Sequence, residues 1–429
     1  MSSSSSLLYK KFISYAFELP TSPAKKSLVE SLRRGIKKGS LRIIQGEEKY
    51  IIGTTTSENK VAERAADIIV KRDDFWLRLW LDNRDLLEGY SSMFHAALSG
   101  MSAIYIRFFG QTLTQASFNA STGYDCSNDF FKIFLSEDMT YSSAIWSESN
   151  GGIRGDIRDH GEVPENALKE AQLMKLHTVL GKARLQPGDR LLEFGSGWGS
   201  MAIEAAKLGC TVDTITLSIE QKNLAEIRIK EAGFSSQITV HLVDYRNLPP
   251  EFEHAFDAFV SVEMIEAVGL RYLPDYFKIV DWALKPGKGA AVIVSTTQPE
   301  SRHATYQPDD YARRYQWPNS FIPSVSGLIS LATTATKANL IIDSVTEYGL
   351  HYPRTLREWG RRLQKNWNPE VIQALQERYP EMKSMDKLEF FKRKWEYMYV
   401  YAEVGYATAY TTLHHFCFVR PNQVKEPCQ

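Results

Sequence analysis

A chain of 429 residues is long enough for two domains and a substantial buried core. Its 51 Lys and Arg residues balance 51 Asp and Glu residues, so net charge gives no reason to expect a nucleic-acid partner. Four cysteines, Cys126, Cys210, Cys417 and Cys428, are too scattered for a disulfide framework or a zinc site, so a reducing compartment and no metal are expected.

The charge is unevenly spread. Met1 to Arg42 carries nine basic residues against two acids, a local excess of +7 that can draw an anionic membrane surface or simply form a solvated helix face. The opening serine run lacks the charged start and apolar core of a secretory signal, and no apolar run reaches the roughly eighteen residues of a membrane span. The expectation is a cytoplasmic protein whose membrane contact, if any, is peripheral. Leu41 to Ile52 has strand-like segments on either side of a turn at Gly46, Glu47 and Glu48. Ile68 to Val70 reads as a short strand, and Phe75 to Leu81 has helical spacing of aromatic and apolar residues. The polar stretch Gly110 to Thr122 reads as a linker. Residues 1–110 are therefore expected to be a smaller N-terminal domain that associates with lipid or membrane, and 111–429 the main domain.

In that main domain YDCSNDFF and MTYSSAIW precede a glycine-containing stretch, Ser147 to Gly161, that reads as an exposed loop. Ala167 to Leu180 is helical, and strands and helices then alternate to about Val294. This is the pattern of an α/β fold with a doubly wound, mostly parallel sheet. The final third mixes helices with a last strand near His414 to Val419. Aromatic residues between Trp395 and Tyr410 fit an acyl tunnel or ordinary helical core packing, and His414 and His415 are read as structural.

Arg190 to Lys207, RLLEFGSGWGSMAIEAAK, is a strand, a glycine turn and a helix in succession. Glycines at Gly195, Gly197 and Gly199 permit positive φ and close approach of a ligand to the backbone, while helix amides face whatever lies beyond the turn. A dinucleotide site expects an acid at the end of the second strand. Here that strand, Thr211 to Leu217, passes Thr216 and runs into Ser218 and Gln221, with Asp213 inside the strand. The third strand, Ile238 to Val243, ends at Asp244 and Tyr245, where an acid can accept a hydrogen bond from an adenine amino group. The layout favours S-adenosylmethionine over a nicotinamide cofactor, with Glu193 placed to reach its amino end; a turn serving only chain reversal is the third reading. Glu266 follows the strand Phe259 to Met264 at the carboxyl edge, where open sheets bind ligands.

LEFGSGWGS, ITLSIEQ, VSVEMIEAVG, YARRYQWPNSFIPS and HYPRTLREW together resemble the cyclopropane fatty acid synthases, from about Tyr124 to Arg420, and EAVG at Glu266 to Gly269 resembles the plant-like branch. The resemblance implies a class I, Rossmann-like methyltransferase that uses S-adenosylmethionine on the double bond of an unsaturated phospholipid or other acyl lipid. The alkene attacks the sulfonium methyl, a carbocation forms, and proton loss closes the ring. It implies that Tyr141 and Ser142 close over the cofactor. It also implies that a bound bicarbonate is the base, held by Ser143, Glu266 and Tyr315. The family usually has cysteine at Ser143 and, in bacteria, histidine where Ser295 stands. Methyl branching of the same alkene, N-methylation of a small amine and a catalytically silent lipid-binding protein are the alternatives, and a homodimer is among the expected assemblies.

Overall fold

The computed structural model describes residues 40–45, 48–53, 66–69, 128–158, 164–305, 307 and 311–421. The chain divides into two compact units, Met1–Leu98 and Ser99–Gln429. In the first, β1 (Ser40–Gln45) pairs antiparallel with β2 (Glu48–Gly53) from Gln45 opposite Glu48 to Ser40 opposite Gly53. This is the hairpin expected from two apolar runs broken by a polar turn. β3 (Ala66–Ile69) joins β1 in parallel. The helix expected at Phe75 to Leu81, the linker at Gly110 to Thr122 and the basic residues before Leu41 lie outside the described residues.

The second unit runs, in order, α1 (Asn128–Phe134), α2 (Gly155–Arg158), α3 (Ala167–Lys182), β4 (Arg190–Phe194), α4 (Ser200–Lys207), β5 (Thr211–Thr216), α5 (Ile219–Glu231), β6 (Ile238–Leu242), β7 (Ala258–Val262), α6 (Leu273–Ala283) and β8 (Ala290–Thr297). It continues with α7 (Tyr311–Tyr315), α8 (Val325–Ala335), β9 (Ile341–Glu347), α9 (Tyr352–Asn366), α10 (Pro369–Arg378), α11 (Met385–Ala407) and β10 (Thr412–Val419). Its strands form a seven-stranded sheet in the order β6-β5-β4-β7-β8-β10-β9, parallel except for β10, which is antiparallel to both neighbours. Strands covered on both faces should read as near-continuous apolar runs, and AAVIV of β8 does. Alternate residues serve opposite faces. Val292 and Val294 enter one core with α1, α3, α4, α9 and α11, while Ala291 and Ile293 enter the other with α6 and α8. Strand order reverses between β4 and β7, which opens the crevice where such sheets bind ligands.

Ser147 to Gly161 corrects one expectation. Its described part is not an exposed loop but two 3-10 turns, Glu148–Asn150 and Gly152–Arg154, followed by α2, with Gly152 and Asp156 buried. Long-range cations anchor it. Arg354 of α9, 2% exposed, donates to the carbonyls of Asn150 (2.6 Å) and Gly152 and lies over the Trp146 ring at 4.0 Å. Arg357 grips Asp156 at 2.6 and 2.8 Å. A Cβ on Gly155 would lie 2.9 Å from the Arg354 guanidinium, so glycine here makes room for a cation. Among the described residues no helix is long and apolar enough to cross a membrane, and no group of three or more metal-ligating side chains forms.

Candidate active site

The turn after β4 is built on left-handed backbone, with φ of +92° at Gly195, +49° at Gly197 and +87° at Gly199, which starts α4. A Cβ at Gly195 would stand 3.5 Å from Met264, so the turn lies directly against the segment leaving β7. The amides of Gly195 and Ser196 both donate to the Ile215 carbonyl at 3.0 Å, tying the turn to β5. Glu193, one residue before the end of β4, is buried with Oε2 sealed and without a hydrogen-bond partner. Burial pushes its carboxyl up to about 8.

Neighbouring strand ends supply the next residues. Thr216 donates to the Gln221 side chain at 2.8 Å, and Ser218 caps α5 by accepting from the Gln221 amide, so Gln221 is fixed at the crevice edge. Asp244, past β6, is gripped by Arg246 at 2.6 and 2.7 Å and by the Arg246 amide at 2.9 Å. Tyr245 is buried against Phe194 and Tyr276, its hydroxyl unpartnered and its pKa raised by burial.

The segment Tyr141–Trp146 is pinned from three sides. Gln172 donates to the Ser142 carbonyl (2.8 Å), the buried Lys175 ammonium to the Ser142 hydroxyl (2.7 Å), and the amides of Ala144 and Ser143 donate to Thr355 (3.2 Å) and to Glu263 Oε1 (2.8 Å). Burial pulls Lys175 down to about 8 against the attraction of Glu263, Asp138 and Glu193. The Tyr141 ring sits among Phe131, Phe134, Trp359 and Trp395.

Glu263 and Glu266 follow β7 and keep part of their surfaces exposed, yet their carboxyl groups point inward. Glu263 accepts from the Ser143 amide and, at 2.5 Å, from the Tyr352 hydroxyl. It does so with φ of +50°, a conformation that costs a residue bearing Cβ about 1–2 kcal/mol. Glu266 Oε1 accepts from the Thr296 amide (2.5 Å) and, weakly, from the Ser295 hydroxyl (3.4 Å), while Oε2 is sealed and unpartnered. Burial first, and the like charge of Glu263 second, push the Glu266 carboxyl up to about 7. Tyr406 stands behind, bonded to Thr296 at 2.8 Å, its ring 4.3 Å from that of Tyr352.

Apart from Tyr141, Ser142, Ser143 and Tyr315, the sequence-derived site residues stand at or just past the carboxyl ends of β4, β5, β6 and β7, around the crevice. Tyr315, at the end of α7, is 40% exposed with its ring 5.2 Å from Tyr311. Glu263, Lys175 and Thr296 join the site without being marked as site residues by the sequence, and Tyr352 and Tyr406 enter it from the motif HYPRTLREW and from the aromatic run Trp395 to Tyr410. Glu263 stands in the sequence as a second acid three residues before Glu266.

A buried carboxyl with one oxygen unpartnered, beside a glycine turn, fits the ammonium end of S-adenosylmethionine. Bicarbonate fits poorly. The Ser143 amide assigned to it already serves Glu263, and another anion would meet two buried carboxyls at once.

A family model described as Mycolic acid cyclopropane synthetase matches residues 111–410. Tuberculostearic acid methyltransferase UfaA1 of Mycobacterium tuberculosis is 33% identical over 307 residues, which is 71% of this chain and 66% of that protein. Cyclopropane-fatty-acyl-phospholipid synthase of Escherichia coli K12 is 30% identical over 260 residues, 60% of this chain and 59% of that one. The matched stretch spans between about half and two thirds of the length of the curated relatives it matches. The crystal structure of mycolic acid cyclopropane synthase CmaA1 complexed with SAH and CTAB shares the fold, with a TM-score of 0.57 at 24% identity over 71% of this chain and 98% of that one. The seven-stranded sheet is accordingly the Rossmann-like class I methyltransferase fold. Since the matched residues carry the glycine turn, both acids after β7 and the aromatic helices, the chain belongs to the mycolic acid cyclopropane synthetase family.

Proposed function

We propose that this chain transfers a methyl carbon from S-adenosylmethionine to the double bond of an unsaturated lipid acyl chain and closes a cyclopropane. The observation that carries the reading is the buried carboxyl pair after β7, packed beside a glycine turn and walled by tyrosine rings. When bound, the donor supplies an electrophilic methyl on a sulfonium. The residues to hold it are Glu193, the turn Gly195, Gly197 and Gly199, Thr216 with Gln221, Asp244 and Tyr245, together with Tyr141 and Ser142. The rings of Tyr352 and Tyr406, packed against each other at 4.3 Å, keep out water that would trap a lipid cation. The carboxyl cluster then accepts the proton whose loss closes the ring. Tyr315 belongs to this reading as a residue of the substrate approach, since it stands at the surface.

The substrate lies in a membrane, and the basic stretch from Met1 to Arg42 supports peripheral docking on anionic lipid. Purified protein incubated with labelled donor and vesicles of unsaturated phospholipid is expected to yield a lipid heavier by one CH₂ with its alkene gone. A methyl-branched product would move the reading to the branching alternative, and label only on an added amine would overturn it. Light scattering of the same preparation tests the expected homodimer.

A further inference from the structure

The two acids after β7 are unequal. Glu263 has both oxygens engaged, by the Ser143 amide at 2.8 Å and the Tyr352 hydroxyl at 2.5 Å. Glu266 is held through Oε1 alone, while Oε2 is sealed from solvent with nothing bonded to it. Glu263 reaches the Ser143 amide only from left-handed backbone, φ +50°, where glycine would sit at ease. Strain kept at a buried site indicates a conformation imposed by its surroundings.

We propose that this chain carries its own proton acceptor: Glu263 fills the amide cradle at Ser143 that a carbonate anion would otherwise take, and Glu266 Oε2 receives the proton, so that turnover needs no bicarbonate. The inference rests on the methyl-transfer reading of the same site. In the step, a C–H bond of the newly transferred carbon breaks and its electron pair forms the C–C bond that closes the ring onto the cationic carbon. The proton passes to Glu266 Oε2, and the resulting neutral carboxyl later releases it to solvent. The positive charge that arrives on the sulfonium therefore leaves as that proton, and no oxidant or reductant is involved. Glu263 is a positioning residue here. Its charge, fixed by two donors, raises the proton affinity of Glu266, and the Thr296 amide aims the Glu266 carboxyl.

The test uses the full chain saturated with S-adenosylhomocysteine, titrated with carbon-13-labelled bicarbonate and read by NMR. Wild type and Glu263→Gln are expected to show no binding, because the cradle is full; Glu263→Gly is expected to bind. In buffer freed of carbon dioxide, wild-type turnover should match that with added bicarbonate. Glu263→Gly should fall by about 100-fold and recover at least about tenfold with bicarbonate, while Glu263→Gln falls without recovery. Saturable bicarbonate binding to wild type, or a wild-type rate that collapses without it, overturns the proposal. If Glu263→Gly does not fold, those two wild-type measurements decide. A wild type that binds donor yet labels no lipid in either buffer overturns the methyl-transfer reading instead, and the titration still judges the cradle.

Discussion

Glu193 is a carboxyl whose burial outweighs the hydrogen bond of Thr214 and the attraction of Lys175, and its Oε2 has no partner. Burial raises it to about 8, so the free protein keeps it largely protonated at neutral pH. A donor bearing an ammonium group favours the ionised form and lowers that value, so a proton should leave as the donor binds. Calorimetry at pH 7 in two buffers of different ionisation heat is expected to show this release, and to show less of it above about pH 8, where the group is already ionised. Glu193→Gln should abolish it and weaken donor binding by about tenfold or more, as loss of a charge-assisted bond would. The same variant separates Glu193 from Lys175, whose own titration also lies near 8. At this scale the sequence was half legible. Glycines, Glu193 and Glu266 are visible because local spacing encodes them. Glu263 was not, because its importance comes from a backbone angle and an amide 120 positions away. Lys175 looks like any lysine in a helix until the fold encloses it.

Between elements, aromatic packing joins α1, α9 and α11. Trp395, 1% exposed, stands with its ring 4.9 Å from Phe130, 5.5 Å from Phe134 and 6.4 Å from Tyr141. Trp395→Ala should cost about 3–5 kcal/mol, read as a lower thermal midpoint by circular dichroism. It should also weaken donor binding, because Tyr141 loses part of its backing. Helical core packing, one of two readings of these aromatics from sequence, describes Trp395 and Tyr399, while Tyr397 and Tyr401 pack on Tyr311 of α7. The parallel strands were legible within a residue or a few, since burial on both faces forces apolar runs. β9 was not, as IIDSVTE is an edge strand with half-exposed residues and no clean alternation. The anchored stretch after Trp146 departs from the loop expected because glycines usually signal solvent, whereas here Gly155 leaves room for Arg354.

For the whole molecule, a net charge of zero conceals a segregated one, with +7 on the first 42 residues. Full-length protein is expected to sediment with anionic vesicles and much less with neutral ones. Attraction should fade as salt shortens the screening length from about 10 Å at 0.1 M to about 3 Å at 1 M. Binding indifferent to both lipid charge and salt would remove the basic stretch from the account. The sheet has a consequence of a different kind. β10 is the last of the described strands in the sequence but stands inside, between β8 and β9. During synthesis β9 emerges with no neighbour to join, and β8 waits with one side bare, until Thr412–Val419 clears the ribosome and slots between them. Assembly therefore finishes by wedging a strand into a gap. A chain interrupted before Thr412 would leave two raw edges inclined to pair with another molecule's, so the solubility of the product depends on β10 being present.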